Sequence, residues 1–138
     1  MVKQRLVSMV LLSLSVGLVS GCLPSRDSQV TRSDLVGEWH SGAPCDSFLR
    51  LEDDGSARVS GWVTALNGEG DIAQRKNDTG TWSLETFQGE QYVEVKRGRT
   101  FEPLDLRRRD GRLVLLQMPG DDPDNSIGCR FGRVHESS

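Results

Sequence analysis

Eight short runs of alternating character, punctuated by turn residues, constrain this chain more than any other feature. They read LVGEWHS (35–41), SFLRLE (47–52), SARVSGWV (56–63), TWSLE (81–85), QYVEVK (91–96), FEPLDLRRR (101–109), RLVLLQM (112–118) and CRFGRV (129–134). A period of two places one set of side chains on each face of a strand, so each run offers an apolar face to a common core. The core expected from this pattern is Trp39, Leu49, Leu51, Val59, Trp82, Leu84, Val93, Val95, Leu113, Leu115 and Phe131. The sequences DDG (53–55) and RDG (109–111) supply the glycine whose positive φ a tight hairpin turn needs. No segment carries a convincing helical period. The fold expected is therefore all-β, an antiparallel up-and-down meander of about eight strands. The polar stretch NGEGDIAQRKNDTG (67–80) reads as a loop. Trp62 falls on the face opposite Ala57 and Val59, so either it is exposed and binds something or a bulge turns it inward.

The first residues follow a different logic. Lys3 and Arg5 precede an uncharged run from Leu6 to Val19, 14 residues long. That is short of the ~20 needed to span a bilayer and matches the layout of a secretory signal. The run ends in Val19-Ser20-Gly21-Cys22, which resembles the bacterial lipobox. The resemblance implies cleavage before Cys22 and a diacylglyceryl group on its thiol, two chains that suffice for stable membrane attachment. Residues 1–21 are then a lipoprotein signal peptide, 22–34 a polar flexible tether and 35–138 the barrel domain. Expected localisation is the extracytoplasmic face of the cell membrane. With Lys3 and Arg5 removed, 15 Lys and Arg stand against 20 Asp and Glu, a net charge of −5. That balance argues against a nucleic-acid partner and against a polybasic grip on anionic lipid.

Setting Cys22 aside leaves Cys45 and Cys129. An exported protein meets an oxidising compartment, and an even pair without nearby histidines suits a disulfide better than a zinc set. Cys45 follows the first strand and Cys129 opens the last. Bridged cysteines need Cα atoms within about 7 Å. In a meander, the first and last strands meet only if the sheet closes, so the pair selects a barrel over a sandwich.

Chemistry is sparse. The only histidines are His40, on a strand, and His135, near the end, and no nucleophile–base or metal motif accompanies them. No catalytic residue, metal ligand or cofactor is expected. DDPDN (121–125) gathers oxygen ligands, but Pro123 interrupts the spacing and no Glu closes it, so it reads as a solvated turn. Arg107, Arg108 and Arg109 read as an edge-strand face, and Asn77-Asp78-Thr79 as a surface sequon without a role.

Gly37-Glu38-Trp39 at the start of the first strand resembles the G-x-W motif of lipocalins, and Gly80-Thr81-Trp82 repeats it. The resemblance implies that Trp39 plugs one barrel end beneath an arginine of the last strand, Arg133 ahead of Arg130. LVGEW, RLEDDGSARVSGW, GTWSLE, RRDGRLVLLQMPGDDPDNS and CRFGRV are together similar to small lipocalin-like lipoproteins of actinobacterial type. That likeness implies a fold and an anchor rather than an activity. The function expected is a monomeric, membrane-tethered binding module for a small apolar ligand or an envelope partner. The alternative is an inhibitor of a lysozyme-type hydrolase, because small lipid-anchored lysozyme inhibitors are also disulfide-bridged eight-stranded barrels. Their Ser-Gly-Ser and Thr-Lys-Gly motifs are absent here.

Overall fold

The structure, a computed structural model, describes residues 29–120 and 127–134. Eight strands follow one another: β1 (Gly37–Ser41), β2 (Phe48–Leu51), β3 (Ser56–Leu66), β4 (Ile72–Phe87), β5 (Glu90–Arg97), β6 (Thr100–Arg109), β7 (Arg112–Gln117) and β8 (Cys129–Arg133). Each pairs antiparallel with the next, and β1 also pairs with β8, so the sheet is a closed barrel. At the seam Trp39 faces Arg133 and Ser41 faces Phe131. Closure gives every one of these strands a paired neighbour on both sides. The Cys45–Cys129 disulfide joins the β1–β2 connection to the start of β8, with Cα atoms 5.7 Å apart.

The core lies inside the barrel, where alternate residues of every strand converge. Trp39, Leu49, Leu51, Val59, Trp82, Val93, Val95, Leu115 and Phe131 are buried, and Leu84 and Leu113 pack half-buried against them. Trp62 joins them with no exposed surface. The register of β3 against β4 shifts between Val59 and Trp62, and Gly61 between them takes a φ of +59°. This bulge reverses the facing of the strand, so the inward reading of Trp62 is the one the fold adopts.

Two expectations are corrected. The stretch read as a loop from 67 to 80 is mostly strand, because β4 begins at Ile72. Its outer half is exposed from Ala73 to Asn77, so no apolar alternation marks it. Cross-strand pairing to β3 and the Arg75 guanidinium hold it instead. Arg75 donates to the carbonyls of Pro44 and Gly61, at 3.0 and 2.9 Å, and also to that of Cys45. The second correction concerns residues 29–34. Val30 is buried, its amide and carbonyl both bonded at 2.8 Å to the Gln91 side chain. A single helical turn, α1 (Arg32–Leu35), follows and drives Leu35 into the barrel mouth. The packed domain thus starts before residue 35. Two isolated apolar residues in a polar segment are too sparse a pattern to signal packing.

Gly80 shows how tightly β4 and β5 approach. A Cβ there would lie 2.0 Å from the Lys96 carbonyl oxygen, a backbone atom that cannot move aside. Gly80→Ala is expected to lower stability by about 3 kcal/mol, the upper end of typical overpacking costs. Urea denaturation checks this, and a loss under 0.5 kcal/mol would show that the strands can separate locally.

Candidate functional site

The barrel has two unlike ends. At the α1 end, the Trp39 indole N–H donates to the Leu35 carbonyl at 3.0 Å, and the Arg133 guanidinium lies 4.8 Å above the Trp39 ring. Arg133 also donates to the carbonyls of Val36, at 2.8 Å, and Asp34. Gly37, with a φ of +135°, leaves room for it, since a Cβ there would sit 2.9 Å from a guanidinium nitrogen. Arg130 is exposed and pairs in register with Leu116. The second G-x-W copy has the same construction. The Trp82 N–H donates to the Glu52 carbonyl at 2.8 Å, and Arg32 lies 4.3 Å over its ring. Two tryptophans therefore close this end, each under an arginine, an arrangement favoured by the negative face of the indole. Asp34 accepts from the Thr31 amide and hydroxyl. Those bonds, and beyond them Arg108 and Arg133, hold its carboxyl below the usual range.

At the opposite end the interior turns polar. Glu102 accepts from the Trp62 indole N–H and from the Gln117 amide, both at 2.7 Å, and from Arg97 at 3.4 Å. Gln117 donates also to the Val63 carbonyl at 3.0 Å, and Arg97 approaches Asp78 at 3.9 Å. The Arg97 and Glu102 side chains are 7% and 19% exposed, so this ion pair sits largely out of water. Arg97 Nε and Gln117 Oε1 are buried without a protein partner. The signal for this cluster was present in the sequence. Arg97 continues the inward parity of Val93 and Val95, Glu102 precedes Leu104 and Leu106 on the same face, and Gln117 follows Leu113 and Leu115. A reading confined to apolar positions passes over them.

Other singled-out residues lie elsewhere. His40 is on the outer face, stacked on Phe48 with ring centroids 4.3 Å apart. Cys22, the DDPDN turn and His135 fall outside the described residues. Among the described residues no cluster of His, Cys, Asp or Glu is arranged to hold a metal. Glu102 accepts from three donors, Gln117 at Oε1 and Trp62 and Arg97 at Oε2, which fix its carboxylate in place.

Grooves of different size open on the outer surface. One of about 970 Å³ runs between α1, the β6–β7 hairpin and the end of β8. Another of about 370 Å³ lies on β5 and β6, between Phe87, Tyr92 and Pro103 and the carboxylates of Glu90, Glu94 and Asp105. Inside, Trp39, Trp62, Phe131 and the leucines fill the lumen. This is a closed eight-stranded up-and-down barrel of lipocalin-like architecture, with one end plugged by arginine-covered tryptophans. Comparison with protein-family models, with curated proteins and with solved structures found no match.

Proposed function

We propose that the protein is anchored through Cys22 to the extracytoplasmic face of the cell membrane and works there as a binding module that engages its partner with its outer surface. The observation that carries the mode of binding is the filled lumen. Small barrels whose interior is occupied by side chains leave little space for a ligand, so recognition falls to the outer faces. This favours an envelope partner over a small apolar ligand held inside. The anchor is supported by the signal-like residues 1–21 and the lipobox-like tetrapeptide ending at Cys22.

Intact-mass measurement of protein purified from membranes tests the anchor. The expected result is a chain beginning at Cys22 with added acyl mass, and a Cys22→Ser variant that stays uncleaved or leaves the lipid fraction. A wild-type chain retaining Met1, soluble and without acyl mass, would overturn it.

A second reading, inhibition of a basic lysozyme-type hydrolase, is favoured by the groove on β5 and β6. Its Glu90 and Glu94 make no ion pair among the described residues, and its aromatic floor suits a lysine or arginine side chain. Inhibition is expected to fall steeply between low and physiological salt, where exposed charges are screened within about 8–10 Å. No inhibition at low salt removes this reading.

A further inference from the structure

The β6–β7 hairpin concentrates positive charge on a chain that is acidic as a whole. It carries Arg107, Arg108, Arg109 and Arg112 within six residues, all exposed. Arg107 pairs with Asp105 at 3.5 Å. Arg108 lies within electrostatic reach of Asp34. Arg109 and Arg112 have no carboxylate at ion-pair distance among the described residues. They also stand directly opposite each other in the ladder, a like-charge pairing that destabilises a hairpin unless an anion relieves it. The groove beside them is lined by Arg108, Arg109, Arg112 and Arg133 against only Asp34 and Asp110.

Position supplies the second argument. Gln29, the first described residue, borders a groove together with Arg107 and Arg108 of this hairpin. Seven residue steps separate it from Cys22, at most about 25 Å of fully extended chain. An anchor at Cys22 therefore keeps the arginine hairpin within reach of the lipid surface, whereas the β3–β4 turn lies at the far end of the barrel.

We propose that this hairpin docks on the phosphate headgroups of anionic phospholipids and so fixes the barrel's orientation on the membrane, with the α1 end down and the polar end outward. The proposal rests on the anchored reading above. Arg109 and Arg112 meet headgroup phosphates, for which the planar guanidinium is well suited. The net acidity of the rest of the surface repels it from the same bilayer, so one face is selected.

The test uses the acylated protein with a single added thiol, Ser33→Cys on α1, labelled with a fluorophore and reconstituted into vesicles containing headgroup-quencher lipid. Gly68→Cys, in the β3–β4 turn, is the control site. Vesicles of phosphatidylcholine alone are compared with vesicles that also contain phosphatidylglycerol. Quenching at residue 33 is expected to rise in the anionic vesicles and fall again at high salt, with no rise at residue 68. Arg109→Gln with Arg112→Gln should lower the docked-to-undocked ratio about thirtyfold, taking ~1 kcal/mol per surface charge. The same pair of substitutions relieves a like-charge contact and should leave the melting temperature unchanged or raised, which separates lost docking from lost folding. Equal quenching at residue 33 in both vesicles, with acyl mass present on Cys22, overturns the docking and leaves the anchor standing. Absence of acyl mass overturns the anchored reading itself, and the docking with it.

Discussion

Glu102→Ala is expected to destabilise the barrel by about 3–5 kcal/mol, the range for removing one partner of a buried ion pair. The Glu102 carboxylate is the common acceptor for the Trp62 indole, the Gln117 amide and the Arg97 guanidinium. Its loss leaves an arginine 7% exposed with only a distant Asp78 at 3.9 Å, and strands two further buried donors. The cost is that of uncompensated burial, and a matched control separates it from lost packing. Arg97→Met, Glu102→Leu and Gln117→Met together replace the ion pair and the amide by apolar side chains of similar size, a swap that is often neutral, and leave the Trp62 N–H as the one donor that loses its acceptor in both variants. Guanidinium denaturation of both variants reads the difference. A Glu102→Ala cost below 1 kcal/mol, with an unchanged denaturant slope, would mean that water reaches Arg97 and the network is not sealed.

Loss of the disulfide has the next largest expected effect. The Cys45–Cys129 bond closes a loop with a sequence separation of 84. Replacing both cysteines by Ser should lower stability by ~2–5 kcal/mol, the usual cost of removing a native disulfide from a small domain. Both sulfurs are buried, and the serine hydroxyls that replace them enter an apolar setting, which pushes the result toward the upper part of that range. The β topology should persist, because the β1–β8 ladder and the Trp39–Arg133 contact hold the seam independently. Far-ultraviolet circular dichroism and thermal melting check both halves of this expectation. A double variant that is unfolded at 25 °C would show that the seam depends on the covalent bond.

Most of the barrel was legible because its strands are half-buried, and half-burial writes a period of two into the sequence. The cysteine pair carried the further step from meander to closed sheet. Legibility failed where that cause is missing. The outer part of β4 is wet on both faces, so its strand character rests on pairing and on Arg75 rather than on apolar residues. The α1 turn is held by Val30 and Leu35 singly, and by a side chain, Gln91, distant in sequence. Trp62 needed the bulge at Gly61, and a glycine inside a strand does not announce which way the next residue turns. The end plug was accessible only through resemblance, since neither composition nor periodicity puts Arg133 over Trp39. Its counterpart, Arg32 over Trp82, comes from a segment read as tether and so stayed out of view.

The way the barrel closes also sets how it must form. Seven of the eight ladders join strands adjacent in the chain, whereas the eighth brings the first strand to the last. Local hairpins can zip early and independently. The seam waits on the longest loop closure in the molecule, the kind of non-local contact that slows folding. Until β8, only five residues long, is in place, both β1 and β7 present bare edges on which another chain can add a strand. A chain shortened by its final ten residues is therefore not a slightly smaller barrel but an open ribbon, exposed on both sides to its own copies.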